Sequence, residues 1–222
     1  MAAIIDLLVP ARQIRISACL LLYGSEASHD VGAQIIEEIN SMYNAPMAKM
    51  TVANNEIQVV FDISYELINT SQVADIATTN QDYRYNFIRI ESQNHITRSF
   101  MGFGLGDNSG HWLTSDQLGT STTAAHEFGH CLGLDHPVNP DFRGSSTPPP
   151  IMAARGSLVD AQYQWNPLAK AGEYGGTMNP KYRKVTTDEI ALILEGLNFE
   201  ETETYYLGYL SNNLFDQGGR VV

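Results

Sequence analysis

Four side chains within one eleven-residue stretch have the types and the spacing of a hydrolytic metal centre. The stretch reads His126-Glu127-Phe128-Gly129-His130-Cys131-Leu132-Gly133-Leu134-Asp135-His136, and it holds half of the six histidines in the chain. On a helix, positions i and i+4 lie on one face. His126 and His130 can therefore aim two imidazoles at one ion about 2 Å from each nitrogen. Glu127 is one residue round the helix and can reach a water on that ion without being a ligand. Gly133 tolerates the left-handed conformation that ends a helix and turns the chain. That turn lets His136 return as a third ligand. Three protein ligands leave the fourth position to water, which is the catalytic zinc pattern rather than the structural one. Zinc in such a site acidifies its water, polarises a carbonyl and stabilises the oxyanion that forms. Glu127 would act as general base and hand the proton to a leaving amine. Three imidazoles favour zinc, although cobalt and manganese share the geometry. Five fixed positions should match by chance in on the order of one in 10⁵ chains of this length.

The histidines need a helix, and the helix needs a core to stand on. Residues 121–132 form that helix, closed by Gly133. Upstream, residues 12–22 read as a strand that starts alternating and becomes fully apolar, as an inner strand would. Residues 29–43 read as an amphipathic helix, with Val31, Ile35, Ile36, Ile39 and Met42 at helical spacing and Ser28 as N-cap. Residues 57–65 return to period two, with Ile57, Val59, Phe61, Ile63 and Tyr65 on one face. Residues 86–92 and, after a glycine-rich stretch over 102–110, residues 110–115 suit two more strands. Residues 139–182 are rich in Pro, Gly and Asn and show no period. So long a span without regular structure inside a domain is usually functional or disordered. A last helix is expected over 186–197, capped by Thr186 or Thr187 with acidic residues in its first turn. No internal repeat and no linker divides the sequence.

The segment HEFGHCLGLDHP resembles the zinc signature of the metzincin metallopeptidases. Its LGLDH portion is similar to the matrixins, and Pro137 after the third histidine is more like the serralysins. The resemblance is dense over residues 110–190 and architectural before that. It implies an α+β, metzincin-like zincin fold: a twisted mixed sheet with an active-site helix and a C-terminal helix. It further implies a single catalytic domain over 1–222, with an N-terminal subdomain over about 1–136 and a C-terminal one over about 137–222. The implied activity is that of a zinc-dependent endopeptidase acting on a peptide or protein substrate. The family also places a methionine in a turn beneath the metal. Met152 is favoured here because it is nearer His136 and proline stiffens its approach; Met178, in a Met-x-Pro pattern, is the alternative. With Met152, residues 155–185 wall the specificity pocket, Tyr163 and Trp165 among them. Gly110, His111, Trp112 and Leu113 fall where metzincins place the cleft-edge strand that holds an extended substrate. Ala154 and Pro180 stand where a tyrosine metal ligand would follow either methionine, and the matrixin cysteine-switch propeptide is absent. A fainter similarity runs to peptidase-like domains at the ends of bacterial polymorphic toxins.

Composition bounds the alternatives. The protein has 222 residues, 43% hydrophobic and 17% charged, enough for one ordinary core. A net charge of −12 repels phosphate backbones and mildly favours cationic peptides, so nucleic acid is not expected as a partner. Cys19 and Cys131 make no disulfide framework and read as buried thiols. No segment approaches the ~20 apolar residues of a membrane helix, and the N-terminus lacks the features of a signal peptide. A monomer is expected; the compartment is left open, and both a bacterial cytoplasm and non-classical secretion are compatible with the sequence. Gly106-Asp107-Asn108-Ser109-Gly110 offers oxygens suited to Ca²⁺, though such a stretch is more often a turn. His111 could serve a second, structural metal. His29 and His95 read as surface residues. The rival to the peptidase is a catalytically silent zinc-binding interaction or toxin-like module on the same scaffold, and the presence of Glu127 argues against it. A zinc hydrolase acting on another bond is the second rival.

Overall fold

The computed structural model describes residues 2–102 and 104–222. Its elements, in sequence order, are β1 (Ala3–Leu8), β2 (Gln13–Tyr23), α1 (His29–Asn44), β3 (Lys49–Val52), β4 (Asn55–Leu67), α2 (Val73–Thr79), β5 (Tyr85–Glu91), β6 (Phe100–Met101), β7 (Ser109–Leu113), α3 (Thr123–Cys131), α4 (Thr187–Ile193) and β8 (Thr204–Leu207). The protein is α+β, built on one mixed sheet. Part of the glycine-rich stretch 102–110 lies at Phe103, outside the described residues.

The sheet runs β3-β4-β2-β5-β7-β6. Strands β4, β2, β5 and β7 are mutually parallel where they pair, and β3 and β6 run antiparallel at the two ends. The apolar run of β2 follows from that central place. Ile14, Ile16, Ala18, Leu20 and Leu22 enter the large core shared with α1, α3 and α4. Cys19, Leu21 and Tyr23 point the other way, into a smaller cluster with Val73, Ala77, Phe87 and Leu214. A strand buried on both faces reads as continuous apolar sequence. Both cysteines are buried and free.

α1 lies against β4, capped at its start by Ser28, whose hydroxyl accepts from Val31 N. Beyond the short β3, the outer edge of β4 is closed by side chains. Asn44 exchanges hydrogen bonds with the backbone of Phe61, and Asn40 does the same with Ile63. Amides on a helix thus satisfy strand groups that would otherwise invite pairing with another molecule.

α1 also builds the start of α3, the helix that carries His126 and His130. Thr122, the N-cap of α3, has φ 65° and makes no side-chain cap. The buried Glu38 carboxylate of α1 supplies the cap instead, accepting from Thr122 N at 3.2 Å and from Ala125 N at 3.0 Å. Anionic acceptors suit the positive end of a helix. Burial pushes the Glu38 pKa up, and these backbone donors pull it back. Glu38→Ala is expected to leave two buried N–H groups without partners and to cost about 2 kcal/mol. Urea unfolding measures it; an unchanged midpoint would show that the cap contributes nothing.

The span 139–182 contains no strand or α-helix. Short turns and isolated bridges hold it, around a small cluster of Ala153, Val159 and Met178 with Phe142 and Tyr163 at its side. The core shared with the sheet takes Ile151, Met152 and Val185 from the C-terminal half. β1 pairs with the lower half of β2 and with β8, so the first and last strands share the sheet. No helix among the described residues is long and apolar enough to cross a membrane.

Candidate metal centre

α3 carries His126, Glu127 and His130 on two and a half turns of buried helix, and Leu132 ends it. Gly133 follows with φ +91°, and nothing lies within 4 Å of where its Cβ would be. Its role is therefore conformational: a left-handed residue that turns the backbone over the helix. His130 Nδ1 lies 2.8 Å from Leu134 O inside that turn, and His126 Nδ1 lies 2.7 Å from Ile151 O. A carbonyl can only accept, so both rings carry their protons on Nδ1 and present bare Nε2 lone pairs.

His136 Nε2 lies 3.2 Å from the Nε2 of His130 and 3.2 Å from that of His126. One proton on His136 could satisfy at most one of these two acceptors. A tetrahedral ion about 2.0–2.1 Å from each nitrogen would space them about 3.3 Å apart. Donor set and spacing both fit a metal, and the three histidines form a cluster that could hold one. Burial lowers all three pKa values; for His126, well below the usual range, the Arg183 charge adds to burial. Neutral imidazole is the form that ligates. Among the described residues this is the one group of three or more His, Cys, Asp or Glu side chains able to converge on an ion.

No protein-family model and no curated protein matches the sequence.

The Glu127 carboxylate lies outside the ligand cluster but lines the same cavity, of about 240 Å³. Burial, opposed by the Arg183 charge, lifts its pKa to about 7. Met152 packs under the helix: a Cβ on Gly129 would sit 2.4 Å from its sulfur, so only glycine admits this approach. Met178 belongs to the separate cluster in the 139–182 span. The turn that carries Met152 is held from below by Glu189, which accepts from Ile151 N at 3.3 Å and Met152 N at 2.9 Å. Glu189 also completes a capping box with Thr186 at the start of α4.

Four expectations meet a different placement, in whole or in part. Gly110, His111, Trp112 and Leu113 lie in β7, which is paired on both sides, by β5 and β6, and Trp112 is fully buried. The outer strand beside the cavity is β6, and Arg98 to Met101 line it. Two residues of strand are too few to show a period, and that is why the edge escapes the sequence pattern. His111 is a packing residue: it stacks on Phe100, and its ring nitrogens face the Asn94 amide and Gln217 O. In the expected Ca²⁺ stretch, Asp107 Oδ1 accepts from Ser109 N and Asn108 Oδ1 from Ser211 N, so these oxygens shape the loop and tie down the C-terminal segment. Finally, Tyr163 packs on Tyr182, and Trp165 is 61% exposed. From the expected wall of 155–185, Arg155 and Arg183 do line the cavity, beside Ala154.

Proposed function

We propose that this protein is a zinc-dependent endopeptidase of the metzincin type. The observation that carries the reading is the convergence of three imidazole nitrogens beside one buried carboxylate that is not among them. A purely structural site has no use for that carboxylate. The order of strand, helix, strands and histidine-bearing helix, with a last helix behind it, agrees with the metzincin resemblance, as does a methionine packed against Gly129 of that helix.

Zinc, bound by His126, His130 and His136, would supply Lewis acidity to the carbonyl and to an attacking water. The protein's own groups do the rest. Glu127 accepts the proton of the attacking water at a carboxylate oxygen and delivers it to the leaving amine. Its burial keeps that carboxylate basic enough for both steps. The Nδ1 bonds to Ile151 O and Leu134 O fix ring orientation and tautomer, which is how outer partners tune a metal site. The outward edge of β6 is unpaired by any strand among the described residues and can hold an extended peptide by backbone hydrogen bonds.

A broad peptide-library digest, run with and without a chelator, tests the reading. Internal cleavage that stops on chelation and returns with zinc is the expected result. Zinc binding without cleavage of any peptide would mark the protein as a silent zinc-binding module and overturn the proposal.

A further inference from the structure

The cavity beside the histidines contains a guanidinium whose donors are not all used. Arg183 is 1% exposed, yet its Nε and Nη1 have no hydrogen-bond partner among the described residues. Burial lowers its pKa to about 10. A buried, unpaired cation costs stability unless something else needs it. Nor is Arg183 loosely held. Its own N–H donates to Pro180 O, whose carbonyl also takes the Thr122 hydroxyl at the start of the metal-bearing helix. Lys184 N donates to Pro149 O, three residues before Met152. The backbone at Arg183 is thus held between the start of that helix and the turn that carries Met152, and its side chain lines the cavity that Glu127 also lines.

The rest of that wall has the same sign. Arg98 and Arg155 line the cavity with Arg183, and Glu127 is the one carboxylate among its lining residues. Arg155 is anchored to Asp116 at 2.6 Å. Three of the thirteen basic residues of a protein with net charge −12 therefore meet at one cavity. The far field of the protein favours cations, but the cavity itself is built for an anion. A planar fork of donors matches a carboxylate with two parallel hydrogen bonds.

The side of the cut follows from Glu127. In the reaction proposed above, Glu127 delivers its proton to the leaving amine, so the residue after the scissile bond lies next to it. Arg183 lines the same cavity as Glu127. We propose that Arg183 is a specificity-determining residue that binds a substrate carboxylate on the leaving-group side of the cut. This rests on the peptidase reading. The carboxylate can come from an Asp or Glu side chain just after the scissile bond, or from the C-terminus of a peptide.

The test separates the two sources and does not depend on turnover. N-acetyl-glutamate methylamide, its glutamine counterpart and N-acetyl-alanine with a free carboxylate are titrated into the full-length, zinc-loaded protein and followed by NMR shifts. The expected result is that one of the two anions binds roughly 10- to 100-fold tighter than the neutral glutamine probe. That advantage should vanish in Arg183→Met and fall in Arg183→Lys, which keeps charge but loses the fork. Arg183→Met nearly keeps the side-chain volume and should remain folded at the assay temperature, which a cooperative melt above that temperature verifies. Tighter binding of the glutamate probe assigns the side chain; tighter binding of N-acetyl-alanine assigns the terminus. In the library digest, the same site would enrich Asp and Glu after the cut, or release C-terminal fragments. Equal binding of all three probes by wild type overturns the proposal, as does an anion preference that survives in Arg183→Met. Anion binding without any cleavage would leave Arg183 as the anion site and sink the peptidase reading alone.

Discussion

Glu127→Ala is expected to keep its zinc and lose its turnover. The carboxylate is outside the ligand cluster, so removing it takes nothing from the three imidazoles. It is also largely buried, with a pKa that burial lifts to about 7, and a group so placed can both take and return a proton. Loss of a general base of this kind costs roughly 10²–10⁴-fold in rate. Metal content and peptide turnover measured on one sample decide the matter. A variant that binds one zinc and cleaves at near wild-type rate would remove Glu127 from the mechanism. Glu127→Gln, with nearly the same shape, guards against a packing artefact, since it fills the same buried volume and cannot accept the proton.

The parts of this site that could be read from sequence are those with a local cause. The i, i+4 histidines follow from helix geometry, and the Gly133 turn follows from the one residue that adopts a left-handed conformation freely. The strands β2, β4 and β5 and the helix α1 announce themselves by period, because each has one face or two in a core. The rest depends on contacts distant in sequence. β6 has two residues and acquires its position only by pairing with β7. Trp112 looks exposed in a Gly-His-Trp run, but it lies in the main core, with its indole N–H on the Met101 sulfur of the added strand. Glu38 does leave a trace: it falls among Ile35, Ile39 and Met42 on the apolar stripe of α1, where a carboxylate needs a reason. Its reason, the uncapped end of α3, is more than eighty residues away. Arg183 leaves no trace, because its meaning is the absence of a partner, and that is a property of the folded state alone.

His136→Ala is expected to weaken zinc binding at least about 100-fold. Loss of a partner outside the ligand set typically costs 10–100-fold in affinity, so loss of a ligand should reach the top of that range or pass it. The geometry makes His136 the closing ligand. Its Nε2 is 3.2 Å from each of the other two, whereas His126 and His130 share one helix and are each held by a carbonyl at Nδ1. The ring is exposed, unlike that of His126, and its removal takes little from the core. The apo fold should therefore survive, and a change in metal affinity can be read without a change in structure. Zinc titration against a chromophoric competitor measures the affinity. Thermal melting gives an independent readout: binding to the folded state alone stabilises by RT ln(1 + [L]/Kd), so a 100-fold loss of affinity at high occupancy removes about 2.7 kcal/mol of zinc-dependent stability. If His136→Ala binds zinc like wild type, the third ligand lies elsewhere, the Gly133 turn has another purpose, and the metzincin reading falls with it.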